Sequence, residues 1–285
     1  MKTTHLTLVL FLTFFTFSCN NDDESPLSPD TVIPQEISDL IVYEGDINAP
    51  IVIINAQAGP DDELHREDAE IIVEILGSTD HLVVNVHQAQ TLNPNLISGD
   101  DITLDQAIEM DSQSIEILSQ VIQYFKDNGR TVYVFGNSFG GLITQGLIAE
   151  KGIDIADKYL IVASRLDIDD VIWQGLSEGR FGFFENGINP VVSPTPEDNV
   201  IERNIARIIA GLIMPRYSEL FSVYDDLSKI TYVYGTNDEI VGRLTAAELE
   251  LMESRDINIF EGNGDHDETT GGDDLVQIFI DLFGN

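Results

Sequence analysis

Apolar residues recur along this chain in two rhythms. Short, nearly unbroken runs predict buried strands, and runs with spacings of three and four predict amphipathic helices. Leu40 to Glu44 is the first predicted strand, Gly45 to Pro50 a turn, and Ile51-Val52-Ile53-Ile54-Asn55 the second strand. Because this second run lacks polar alternation, it predicts a sheet covered on both faces. A loop from Ala56 to Asp62 leads to a helix from about Glu63 to Leu76, with Ile71, Ile72 and Ile75 as its apolar stripe and His65 on its exposed side. His81 to Val86 reads as a strand and Gln88 to Asp101 as a long loop. A long helix then spans Leu104 to Asp127, using Ile108, Ile115, Leu118, Ile122 and Phe125, and Asn128-Gly129 ends it.

The next stretch carries the first candidate chemistry. The β-branched run Thr131-Val132-Tyr133-Val134-Phe135 ends abruptly in Gly136-Asn137-Ser138-Phe139-Gly140, and a helix-compatible segment from Leu142 to Glu150 follows. Strand, tight turn and helix in that order push a serine hydroxyl out of the sheet, above a helix N-terminus whose backbone N–H groups suit an anionic intermediate. A side chain at Gly136 or Gly140 would crowd the turn.

Lys158 to Ala163 is another strand, after which the alternation breaks between Ser164 and about Asp226. This insertion reads as helical pieces at Asp169 to Glu178, Val200 to Leu212 and Tyr217 to Leu227. Its aromatic residues Trp173, Phe181, Phe183 and Phe184 suggest a cap over a binding cleft, with the alternative that they merely fix the insertion to the domain. Ile230 to Gly235 and Asp256 to Phe260 are the last strands, and Asp273 to Phe283 the closing helix. The repeated alternation predicts a doubly wound, mostly parallel α/β sheet with a helical cap insertion at about 164–227. Asp238 sits just past one strand and His266 just past the next. In a parallel sheet such strand ends share one edge, so Ser138, Asp238 and His266 can meet.

The order serine, aspartate, histidine, carried by Gly136-Asn137-Ser138-Phe139-Gly140, Tyr234-Gly235-Thr236-Asn237-Asp238 and Gly262-Asn263-Gly264-Asp265-His266, resembles the α/β-hydrolase superfamily from about Leu40 to the C-terminus. The resemblance implies Ser138 as nucleophile, His266 as general base and then acid, and Asp238 as the group that holds the imidazole. It also implies an oxyanion hole from the backbone N–H groups of Phe139 and Gln57. Many members begin that second loop with His-Gly, where this chain has Asn55-Ala56. Among competing residues, His87 precedes the serine and suits a pocket role better than that of base. Glu239 neighbours Asp238, whose strand-plus-loop position is the better one. Asp225 and Asp226 read as surface charges.

Composition narrows the function further. A formal net charge of −36 over 285 residues argues against nucleic-acid phosphates and anionic lipid surfaces as partners. Asp265, Asp267, Glu268, Asp273 and Asp274 lack the spacing of a calcium loop, and no His or Cys cluster suggests zinc, so neither metal nor cofactor is expected. At the N-terminus Lys2 precedes an apolar run from Leu6 to Phe17, too short to span a membrane but suited to a signal peptide at residues 1–18. Phe17-Ser18-Cys19 resembles the cleavage site of bacterial lipoproteins, and the acidic tract behind it resembles the surface-export signal of Bacteroidetes lipoproteins. That resemblance implies an exported protein, anchored to the outer membrane or cell surface of a Gram-negative bacterium through lipid on Cys19. Residues 19–39 are expected to be a flexible tether and 40–285 the hydrolase domain. The function expected is hydrolysis of a small-molecule ester or related acyl substrate through an acyl-enzyme. A catalytically silent, surface-displayed binding protein on the same scaffold is the alternative.

Overall fold

The computed structural model describes residues 32–77 and 80–284. The signal peptide and Cys19 lie outside them. Strands β1 (Ile41–Gly45), β2 (Ile51–Ala56), β3 (Leu82–Val86), β4 (Thr131–Asn137) and β5 (Lys158–Val162) precede the insertion. The insertion holds a hairpin, β6 (Gly182–Glu185) and β7 (Asn189–Val192), and β8 (Ile230–Gly235) and β9 (Asn258–Gly262) follow. The main sheet has seven strands in the order β1-β3-β2-β4-β5-β8-β9, with only β1 antiparallel to its neighbour.

Period-two geometry explains why these strands carry so few polar residues. Along β2, Val52 and Ile54 join one apolar cluster while Ile53 joins another on the opposite face. The first cluster is completed by Leu104–Asp127, Phe139–Lys151 and Val200–Leu212; the second by Arg66–Leu76 and Asp273–Phe283. In the second layer Phe283 stacks on Tyr133 at 5.2 Å, and Phe279 meets Phe135 edge-on, also at 5.2 Å.

Several expectations are corrected by long-range packing. Folded structure begins before Leu40, because Ile33, just ahead of a short helix Gln35–Ser38, and Ile37 within that helix are buried in the core. The helix expected from Glu63 starts at Arg66. Its delay has a cause: the buried Gln57 side chain accepts from His65 N–H at 2.8 Å and donates to Glu63 carbonyl at 2.9 Å, holding Glu63 to His65 as a loop. His65 is accordingly the N-cap, half-buried rather than on the helix's exposed side. On that helix Ala69 and Ile72 face the core, whereas Ile71 is 52% exposed. The loop from Gln88 contains two short helices, Ala89–Leu92 and Asn95–Ser98. Buried Asn204 of the insertion donates to the Ile97 and Asp100 carbonyls and accepts from Ile102 N–H, fastening that loop. Tyr217–Phe221 is shorter than expected, and β9 begins at Asn258 rather than Asp256. The hairpin was not foreseen, although Asn186-Gly187 is a turn signal and both residues have positive φ, 54° and 69°.

One buried carboxyl group lies on the seam between Leu104–Asp127 and Val200–Leu212. Asp111 is buried, its Oδ2 has no hydrogen-bond partner, and a Cβ at Gly211 would stand 2.4 Å from that atom. Burial pushes the Asp111 carboxyl well above the ordinary carboxylate range. The folded chain therefore holds this proton more tightly than the unfolded chain. The resulting stabilisation is complete below the ordinary range and is lost as pH rises through the folded value. Asp111→Asn should stabilise the protein by about 1–3 kcal/mol at neutral pH and by little at roughly pH 3. Thermal melts at the two pH values check this, and an equal shift at both would refute it.

Candidate active site

Three strand ends deliver the three predicted side chains. β4 passes into Ser138, whose backbone is strained at φ 52° and ψ −115°, and the helix Phe139–Lys151 starts at once. Ser138 N–H is held by the Val162 carbonyl at 2.9 Å, while the Ser138 carbonyl accepts from Gly141 and Leu142. The two glycines of the turn are needed for close approach. A Cβ on Gly136 would lie 2.4 Å from the Gly140 carbonyl oxygen, and one on Gly140 would lie 1.9 Å from that of Ala56. The helix can thus abut the end of β2.

Asp238, fully buried, follows β8. Its Oδ1 accepts from the Ile240 and Val241 N–H groups, each at 2.9 Å. Its Oδ2 faces His266 Nδ1 at 2.8 Å, and His266 Nε2 lies 3.1 Å from Ser138 Oγ. His266 opens the short helix His266–Gly271, capped by Asp265, whose Oδ1 accepts from Glu268 N–H at 2.9 Å. The acid and base loops are tied together by Thr236 N–H to the Gly262 carbonyl, Asn237 N–H to the Gly264 carbonyl and the Asn237 side chain to the Asn263 carbonyl. Distances of this kind permit proton transfer from hydroxyl to imidazole.

The competing residues stand elsewhere. Glu239 accepts from the backbone N–H of His266 at 3.3 Å, so it supports the base loop from behind. His87 is two strands away from β4 in the sheet, with Nδ1 on Thr91 Oγ1 at 2.9 Å; burial lowers its pKa. Asp225 and Asp226 are exposed. Among the described residues, no group of three or more His, Cys, Asp or Glu could hold a metal ion.

The two residues expected to form the oxyanion hole lie just past the ends of the paired strands β4 and β2. Phe139 is the first residue of its helix, and such a position leaves its N–H without an intrahelical acceptor. Gln57 follows the end of β2, where Ala56 pairs with Gly136. Its loop is anchored without the His-Gly of many family members. Besides the bonds to Glu63 and His65, the Gln57 carbonyl accepts from buried Gln88 Nε2 at 2.9 Å. Asn85 adds a bond to the His65 carbonyl at 2.6 Å and accepts from Asn55 at 3.1 Å. Sequence reasoning missed Asn85 and Gln88. Their signal was present: polar residues at or beyond the end of an otherwise apolar strand.

The four aromatic residues of the insertion do not line one surface. Phe183 and Phe184 are neighbours on β6 and point to opposite sides, the first 44% exposed and the second 1%. Trp173 is half-buried with its indole N–H on the Ala210 carbonyl, and Phe181 is half-buried too. Phe184 instead buttresses the acid loop. Its N–H donates to the Glu239 carbonyl at 2.7 Å, its ring lies beneath the Arg165 guanidinium at 5.6 Å, and it packs against Gly242, whose added Cβ would meet the ring at 3.0 Å. Arg243 N–H reaches the Gly187 carbonyl from the same loop. Phe184→Ala should cost about 3–5 kcal/mol of stability. Activity at 25 °C should fall through kcat more than KM, since Asp238 loses its support; an unchanged kcat with lowered stability would limit Phe184 to packing.

The sequence matches no known family model and no curated protein. Solved structures are similar in shape. A thermostable carboxyl esterase from Bacillus coagulans, in complex with glycerol, aligns with a TM-score of 0.55 and 13% identity over 86% of this chain and 94% of its own. A structure from the work on LipS and LipT, two metagenome-derived lipolytic enzymes, aligns at 0.53 and 11%, over 86% and 97%. A bromoperoxidase from Bacillus anthracis aligns at 0.51 and 12%, over 86% and 95%. The fold is that of the α/β hydrolases. Within it, the serine at the elbow and the aspartate and histidine beyond later strands occupy the loops at the C-terminal ends of parallel strands, where α/β sheets bind ligands. Fold alone does not fix the reaction.

Proposed function

We propose that this α/β-hydrolase-fold protein is a serine hydrolase that cleaves carboxylic esters through an acyl-enzyme. The observation that carries the reading is the unbroken relay from Ser138 Oγ to His266 Nε2 at 3.1 Å and from His266 Nδ1 to Asp238 at 2.8 Å. In the first half-reaction His266 takes the Ser138 proton as Oγ attacks the ester carbonyl. The N–H groups of Phe139 and Gln57 are assigned to the oxyanion. As the tetrahedral intermediate collapses, the C–O bond breaks, His266 returns the proton to the leaving alcohol and the acyl group stays on Ser138. Water then attacks, giving its proton to His266, and the acid departs with Ser138 restored. Asp238 keeps Nδ1 protonated and faces the positive charge that forms on the ring.

An ester with an apolar group is favoured by exposed Phe183 on the hairpin and exposed Ile240, two residues from Asp238. Stoichiometric labelling of Ser138 by a fluorophosphonate tests the mechanism, and p-nitrophenyl esters of increasing chain length test the substrate class. Absence of labelling in the wild type would overturn the reading in favour of a catalytically silent binding protein.

A further inference from the structure

Beneath the elbow, on the face of the sheet away from Phe139–Lys151, lies a cavity of about 270 Å³ between the helices Arg66–Leu76 and Asp273–Phe283. Its walls are apolar: Ile71, Ile75, Leu275, Val276, Phe135 and Phe279. Its polar lining is acceptor-rich. Asn137 Oδ1 is buried there without a hydrogen-bond partner. Asp68 presents a half-buried carboxylate whose contact with the Asn85 side chain is a long one, 3.5 Å from Nδ2. No Lys or Arg among the described residues forms an ion pair with it; burial raises its pKa, an effect the nearby His65 imidazole partly offsets. None of these side chains takes part in the relay through Ser138. The cavity also accounts for Ile71, an isoleucine left 52% exposed beside it.

An apolar slot with one unpartnered amide oxygen and a half-buried carboxylate calls for a ligand that brings hydrogen-bond donors on a greasy body. A charge of −36 on the chain favours a cation over an anion. We propose that this groove is a second binding site, which takes a small amphiphile with an alkyl or aryl body and a protonated primary amine as its head. The amine's N–H groups meet Asp68 and Asn137, and the body lies between the two helices. Pockets for drug-sized ligands run to about 300–1,000 Å³, so the ligand is small, of roughly ten non-hydrogen atoms.

Calorimetric titration of the intact protein with n-octylammonium at neutral pH tests the site, with 1-octanol and octanoate as comparators. One-to-one binding is expected, at least tenfold tighter than either comparator, and weakened roughly fourfold for each methylene removed. Asp68→Asn should remove the preference for the amine over 1-octanol, and Val276→Trp should fill the slot and abolish binding of both. Cooperative thermal unfolding of each variant shows that it is folded. Octylammonium binding that survives Val276→Trp would be surface adsorption to an acidic protein and would overturn the proposal, as would octanoate binding equally well or the absence of any saturable heat.

Discussion

Ser138→Ala should abolish both ester hydrolysis and fluorophosphonate labelling, with kcat reduced by roughly 10⁶-fold, the scale set by removing the nucleophile from a comparable triad in subtilisin. The loss should be this large because no other hydroxyl stands in the relay: His266 Nε2 faces Ser138 Oγ, and its other nitrogen is occupied by Asp238. Stability should change little, since the turn is held by the Ser138 backbone and not its hydroxyl. The measurement is burst and steady-state hydrolysis of a p-nitrophenyl ester beside a thermal melt. Residual activity above about a hundredth of wild type would mean that the chemistry runs elsewhere.

Asp238→Asn should cost roughly 10⁴-fold in kcat with the fold intact. Geometry makes the direction of this effect specific. Asp238 Oδ1 accepts two backbone N–H groups, from Ile240 and Val241, so an asparagine must place its oxygen there. Its NH₂ then faces His266 Nδ1 and donates to it. The imidazole must move its proton to Nε2, the atom 3.1 Å from Ser138 Oγ, and can no longer act as base. A modest fall in kcat would instead point to Glu239, which meets the backbone of His266. Comparing Asp238→Asn with Glu239→Gln in the same assay separates the two.

The features that could be read from the sequence are those fixed within a few residues. Buried strands such as Ile51–Ala56 and Ile230–Gly235 are too apolar to be anything else in an alternating chain. The elbow shows itself because two glycines and a serine must follow a strand directly, and the ends of β8 and β9 carry the partners in order. What could not be read depends on distant partners. Ile71 satisfies helical periodicity as well as Ile72 does, and only the position of Asp273–Phe283 determines which of them is covered. Phe183 and Phe184 look alike as an aromatic pair; strand pleat and the acid loop separate them into a surface residue and a buttress. The loop after β2 has Asn55-Ala56 where many α/β hydrolases have His-Gly. Its support comes from Asn85 and Gln88, about 30 residues downstream, which no local pattern connects to Gln57.

The hydrogen bond between Ser138 and His266 joins residues 128 positions apart in the chain. A ribosome releases the elbow, with its strand and helix, long before β9 and the base loop emerge, and a domain generally folds as a unit. During that interval Ser138 has no His266 to take its proton. Under the proposed mechanism, hydrolytic competence therefore waits for the closing edge of the sheet, and a fluorophosphonate pulse during translation would time that event.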